Sequence, residues 1–284
     1  SERQIRRRIK SAKNIAQITR AMQMVSASKM KKAQAAALSG SPYAEKIAEM
    51  VATFVSRIEP ERHPLLRQNP EGKTLIVLIS TNKGLCGGLN TNLFRETTTQ
   101  LKTWGEVIFV TLGNKGERYV VNGKRGELAA DFSEGRSFVE QIPALTSFVS
   151  QGFLKGEYKQ VFLIYNNFIS ALRQEPTVKQ LLPISNLLEK IQTENKQPLQ
   201  LDFVVEPSMD EILDPLLVAY LENQIRDAVL EAEASEHSAR MLAMKNATDN
   251  ARELIELLTL EYNKARQEKI TYERGADGKI IVEN

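Results

Sequence analysis

An α/β domain combined with a long antiparallel α-helical coiled coil is the fold class this sequence predicts. Three observations carry it. The first block, to about residue 58, has a single narrow apolar stripe. Residues 74–205 alternate β-rich and helical stretches. Residues 216–274 contain neither glycine nor proline. The expected division is 1–58 for the first coiled-coil helix, 59–73 for a linker, 74–206 for the α/β domain, and 207–284 for the second helix and tail.

In the first helix the stripe runs Ile5, Ile9, Ala12, Ile15, Thr19, Met22, Val25 (or Ser26), Met30, Ala33 and Ala37. Steps of three and four in so narrow a band describe a coiled-coil seam rather than the broad face of a core helix. Ser39-Gly40-Ser41-Pro42 interrupts it, and Ser41 can cap a new start with Pro42 in the first turn, so a kink or restart is expected. Residues 59–73 (EPERHPLLRQNPEGK) hold three prolines and a glycine and read as a linker.

The middle block offers TLIVLIS (74–80), VIFVTLG (107–113), VFLIYNNF (161–168), QLLPI (180–184) and LDFVVE (201–206) as strands. Helices are expected near 88–104, 114–121 and 135–153. Such alternation predicts a mostly parallel sheet with an antiparallel edge.

The last block opens with Ser208 before MDEILDPLL, with Asp210 and Glu211 in the first turn. Pro215 comes early enough to be tolerated. A helix from there to Gly275 would be on the order of 90 Å long, and needs a partner along its length. The partner is the first helix. Residues 1–40 hold ten basic residues against one acid, and residues 206–284 hold nine against seventeen acids. An antiparallel pairing sets cationic against anionic flanks, which selects register and orientation more than stability. Ala228, Ala232, Ser235 and Ala239 permit close approach, and Asn223, Asn246 and Asn250 disfavour slipped registers.

Composition bounds the chemistry. With 42% hydrophobic and 26% charged residues the chain is an ordinary globular one. Cys86 is the sole cysteine, so there is no intramolecular disulfide and no four-cysteine metal site. His63 and His237 are too far apart in sequence for an HExxH-type site. No apolar run reaches membrane-spanning length. The N-terminus SERQIRRRIK lacks an apolar signal region and continues into the patterned helix, so it reads as mature structure.

Two alternatives stay open from the residues alone. STNKGLCGGLN (80–90) follows a strand and opens a helix, where phosphate loops lie. Its Lys83 precedes the glycines, however, and neither GxxxxGK[ST] nor GxGxxG is present. Cys86 has no neighbouring base to make it a nucleophile. The basic first helix could bind nucleic acid, but its apolar stripe is committed to packing. The methionines Met22, Met24, Met30, Met209, Met241 and Met244 fit seam packing or an adaptable surface.

Four separated segments lie in collinear order: RRRIKSAKNIAQITRAMQMVSASKMKKAQ (6–34), STNKGLCGGLN (80–90), YNNFIS (165–170) and ENQIRDAVLEAEASEHSARMLAMKNATDNA (222–251), followed by YNKARQEKIT (262–271). Together they resemble the gamma subunit of F-type ATP synthases, in its bacterial form. The resemblance implies a non-catalytic rotor stalk, with an antiparallel coiled coil inside a ring of three alpha and three beta subunits and a Rossmann-like domain near the c-ring. It implies epsilon and the c-ring as further partners, attachment to the cytoplasmic face of the membrane through the complex, and no cofactor, metal or nucleic acid. By matching motifs, Arg20 and Met22 in ITRAM, and Lys83 and Cys86 in the glycine loop, would face the beta lever loops. Arg240 in SARM and Arg266-Gln267 in KARQ would affect coupling, the latter pair as a catch on beta. Phe203 and Glu206 would form the foot. The tail TYERGADGKIIVEN departs from the family pattern, and its Gly275 and Asp277-Gly278 read as turn signals. The cysteine-bearing insertion of the chloroplast type is missing.

That resemblance also suits SEHSARMLAMKNATDN (235–250), where small, soft and polar groups stud a long helix. A shaft turning against three similar surfaces in succession needs low barriers.

Overall fold

The computed structural model describes residues 2–56, 63–67, 69–134, 137–184 and 209–280, with backbone alone at 209–210 and 273–280. Helix α1 spans Glu2–Val55. Strand β1 (Lys73–Ile79), helix α2 (Leu89–Trp104), strand β2 (Val107–Leu112), helix α3 (Asn114–Gly123) and strand β3 (Glu127–Asp131) follow. A short 3-10 turn then leads into helix α4 (Ile142–Leu154), strands β4 (Tyr158–Ser170) and β5 (Arg173–Leu182), and helix α5 (Met209–Ile280).

The sheet order is β3-β2-β1-β4-β5. β1 pairs parallel with β2 and with β4, β2 pairs parallel with β3, and β5 is an antiparallel edge on β4. The run Leu75–Ile79 is fully buried because β1 is central and covered on both faces. Alternate residues divide the core. Leu75, Val77, Ile79, Val161 and Leu163 pack with α4, the end of α1 (Ile47, Val51, Phe54) and α5 (Leu213, Leu217, Leu221, Ile225). Ile76, Leu78 and Ile164 face the opposite way, toward Leu93 of α2 and Val120 of α3.

Contacts group the chain into two units, Lys29–Ala239 and Ser1–Ser28 with Arg240–Asn284. In the second, Thr19 and Thr248 share a 2.7 Å hydroxyl hydrogen bond, and the Tyr262 hydroxyl donates to Glu2 at 2.9 Å. Sequence rises on α1 as it falls on α5, so the pair is antiparallel. The buried positions on α1 are Ala12, Thr19 and Ser26, and on α5 Arg240, Met244, Thr248, Ala251 and Leu258. These are coiled-coil spacings.

Several expectations need correction. Ile15 is exposed and Ala16 faces inward in its place, while at the alternative Val25/Ser26 the serine is buried. A strict seven-residue repeat through Ala12, Thr19, Ser26 and Ala33 decides this, since small side chains let the backbones approach. α1 runs unbroken across Pro42, without the restart, although Pro42 has no N–H to contribute. Ser39 bonds the Ala36 carbonyl there, and Ser41 bonds Glu45 instead of capping a new helix. β5 begins at Arg173, seven residues before the expected run, because a polar hairpin edge lacks an apolar signature. β3 (ELAAD) went unforeseen, since Ala, Glu and Asp are poor strand formers and only pairing with β2 makes it one. α5 stays helical through Gly275 and Gly278 to Ile280. The strand expected at 201–206 lies outside the described residues.

Candidate functional site

The glycine loop follows β1, at the point where the chain has built outward to β2 and β3 and then returns to place β4 on β1's other side. Open α/β sheets usually bind ligands at such a switch point. Here the loop is held by its own polar groups. Thr81 Oγ1 donates to the Lys83 carbonyl at 2.8 Å, and Asn90 Nδ2 donates to Thr81 Oγ1 at 2.7 Å and to Cys86 Sγ at 3.5 Å. Asn82 Oδ1 accepts the Asn114 N–H at the start of α3. Gly113, at φ +106, lies so close to Ser80 that a Cβ there would meet its carbonyl oxygen at 2.5 Å.

Helix α5 lies at this end of the sheet. Ala239 packs with Cys86 and Leu89 in one small buried cluster. Ser235 Oγ donates to the Asn166 carbonyl at 2.9 Å, and Ser238 Oγ donates to the Ala171 carbonyl at 2.7 Å. One turn earlier the Tyr165 hydroxyl and Glu231 carboxyl share a hydrogen bond. Burial is the main force pushing the Glu231 carboxyl up, opposed by that hydrogen bond and by Lys179. Burial, then the Glu231 charge, raises Tyr165 well above the usual phenol range. Tyr220 is pushed up to about 12 by burial and by Asp227. Lys29 and Lys32 of α1 attract Glu233 of α5, a local instance of the charge complementarity seen in the sequence.

Lys83 is exposed on the loop, but Cys86 is buried at 3%. The outward group beside it is Leu85, 64% exposed and in the left-handed region at φ 62. Ile169 and Leu172 of the β4–β5 hairpin are also exposed. Sequence reasoning missed these three because an apolar residue reads as core. The one available signal was their place in or beside turns.

In the helix-pair unit Arg20 is exposed and Met22 half-buried, while Arg266 and Gln267 are exposed. Arg240 is buried. The register Thr19–Thr248 puts Arg20 and Met22 near residue 248. Arg266 lies farther along α5 by on the order of 27 Å at 1.5 Å per residue, so these are two separate stations. Between and around them Ile15, Ile18, Met24 and Val25 on α1 and Leu254, Leu257 and Leu260 on α5 are exposed. So many outward apolar groups on one helix pair mark an interaction surface. Phe203 and Glu206 lie outside the described residues. Among the described residues no His, Cys, Asp and Glu cluster could hold a metal, and no helix is long and apolar enough to cross a membrane.

A family model described as ATP synthase matches residues 1–273. The ATP synthase gamma chain of Opitutus terrae is 41% identical over 282 residues, covering 96% of this chain and 95% of the relative. That of Dehalococcoides mccartyi is 42% identical over 275 residues, covering 95% and 94%. Among solved structures, the rotor of the Euglena gracilis mitochondrial ATP synthase matches with a TM-score of 0.64 at 19% identity, over 95% of this chain and 98% of the other. The central stalk and c-ring structure of the Tetrahymena thermophila enzyme contains a chain that matches with a TM-score of 0.59 at 26% identity, over 81% and 99%.

Proposed function

The chain belongs to the ATP synthase gamma-chain family, and from that premise we propose that it is the central rotor stalk of the F1 sector, coupling ion-driven rotation of the c-ring to conformational cycling of the catalytic beta subunits. The observation that carries this reading is the helix pair of residues 2–28 and 240–280. Its seam is closed mainly by small and hydroxyl side chains, with Met244 and Leu258 among them, and its outer surface presents exposed apolar groups.

Each beta subunit meets a different side of an asymmetric shaft. A site's conformations are populated according to how well each fits the side it meets, so turning the shaft shifts the three populations in sequence. Ion flow drives synthesis, and hydrolysis drives the reverse. The chain itself carries no catalytic group, cofactor or metal in this reading, which is supported by the seating of α5 at the sheet's usual ligand crevice. Its partners are three alpha and three beta subunits, epsilon and the c-ring, and it joins the cytoplasmic face of the membrane only through them.

Arg20 and Met22 contact the beta levers at one station, with Lys83 and its loop serving the same levers. The Cys86 side chain supports that loop from within. Arg266 and Gln267 act as the catch on beta, and buried Arg240 affects coupling by holding α5 in place. Phe203 and Glu206 form the foot against epsilon and the c-ring.

The test is reconstitution with matching alpha and beta subunits. One chain per three alpha–beta pairs, with unidirectional ATP-driven rotation, is expected. A chain that fails to enter the hexamer but binds ATP alone would overturn the reading.

A further inference from the structure

The apolar contact between α5 and the sheet, through Leu213, Leu217, Leu221 and Ile225, resists separation. It resists sliding far less, because hydrophobic attraction is non-directional. Where α5 reaches the end of its unit the character of the contact changes. Ser235 and Ser238 are fully buried, yet both are hydroxyls where alanine would fit as well. Both donate to main-chain carbonyls of the β4–β5 hairpin, at 2.9 Å and 2.7 Å.

The acceptors are prepared for them. Asn166 lies beyond Leu78–Ile164, the last pair between β1 and β4, so no β1 residue is paired beside it to donate, and Pro176 opposite it on β5 has no N–H. The Asn166 carbonyl accepts a hydrogen bond from Ser235 Oγ instead. Ala171 lies in the turn between β4 and β5, and Gln174 Nε2 reaches both its carbonyl (3.3 Å) and Ser238 Oγ (3.4 Å). With Glu231 on Tyr165, the fastenings recur at 231, 235 and 238, one face of α5. Hydrogen bonds weaken steeply with misalignment, so this row opposes any shift of the helix along the sheet.

We propose that Ser235 and Ser238 are torque-bearing positioning residues, which clasp α5 to the β4–β5 hairpin so that helix and sheet turn as one body. The proposal rests on the rotor reading above.

The assembled complex tests it. The beta subunits are fixed to glass, a bead is attached at Leu172→Cys on the hairpin (Leu172 is 76% exposed), and the angle is recorded with the motor stalled by nucleotide. Ser235→Ala with Ser238→Ala is expected to increase the thermal angular variance at least twofold, with each single variant in between. Amide exchange over residues 171–174 in the same complex is expected to quicken at least tenfold in Ser238→Ala. Thr97→Val is the control, since that buried hydroxyl bonds the Leu93 carbonyl within its own helix. It should lower stability and leave the variance unchanged. A double variant that assembles and rotates with wild-type variance overturns the clasp, as does equal broadening in the control. If the double variant fails to assemble, the single variants decide by the same criterion. Failure of the wild-type chain itself to rotate would instead sink the rotor reading, and the clasp with it.

Discussion

The two long helices each carry two kinds of interior face. Where α5 packs in the sheet-containing unit its buried residues include Leu213, Leu217, Leu221 and Ile225, and where it packs on α1 in the other unit they include Met244, Thr248 and Ala251, with Leu258 farther along. α1 makes the same change, from Ala12, Thr19 and Ser26 to Ile47, Val51 and Phe54. The spacing hardly alters along either helix; the size and polarity of the buried side chains do. Spacing fixes which side of a helix faces inward. Residue volume fixes how near the neighbour comes, and therefore whether the result is a thick core or a slim pair of rods.

Substitutions can break this contrast, and the largest effect belongs to the core. Leu217→Ala, at a position with no exposure, should cost about 3 kcal/mol from lost transfer energy and the cavity left behind. Urea unfolding checks it, and a cost under about 1 kcal/mol would mean the sheet unit can collapse around the gap. A smaller cost is expected at the seam. Thr19→Val removes the bond to Thr248 but leaves that hydroxyl on the Met244 carbonyl, so it should cost about 1 kcal/mol, and the double change Thr19→Val/Thr248→Val should cost less than the two single changes summed. If the two single costs simply add in the double variant, the hydroxyl pair contributes no coupling.

Ile18→Lys sits on the outer face at 59% exposure. It should leave the chain's own stability within about 0.5 kcal/mol and impair assembly with the alpha and beta subunits, read by co-purification. Unimpaired assembly would remove that face from the contact surface.

The smallest effect concerns Glu231. Its folded-state carboxyl is raised, chiefly by burial, so folding favours the protonated form. That contribution is complete below the unfolded-state pKa and is lost as pH rises through the raised folded value. Glu231→Gln should therefore gain on the wild type as pH rises from about 4 to about 8, seen as diverging urea midpoints. A wild-type advantage that grows with pH would show the Tyr165 and Lys179 interactions outweighing burial.

Much of the fold was legible in the sequence. The seam spacing, the run of 216–274 without Gly or Pro, and the apolar stretches 74–80, 107–113 and 161–168 are local patterns, and the structure realises them as α1, α5, β1, β2 and β4. β3 and the polar start of β5 were illegible because a neighbouring strand supplies their hydrogen bonds. Of the residues the resemblance singles out, Arg20, Lys83, Arg266 and Gln267 are exposed. Leu85, Ile169 and Leu172 were hidden, because no local rule separates an exposed leucine from a buried one.

The sequence by itself determined which segments are helical, that the two ends must pair, and, through opposite charge, that they complement each other. Those properties follow from periodicity and composition, which every short window of chain carries. The tertiary structure alone decided that Ser26 rather than Val25 faces the seam, that Cys86 turns inward under Ala239, and that α5 takes the sheet's ligand crevice with two serines on hairpin carbonyls. Each of these depends on which atoms of a distant segment arrive alongside, a matter of close packing and hydrogen-bond supply that no local stretch encodes.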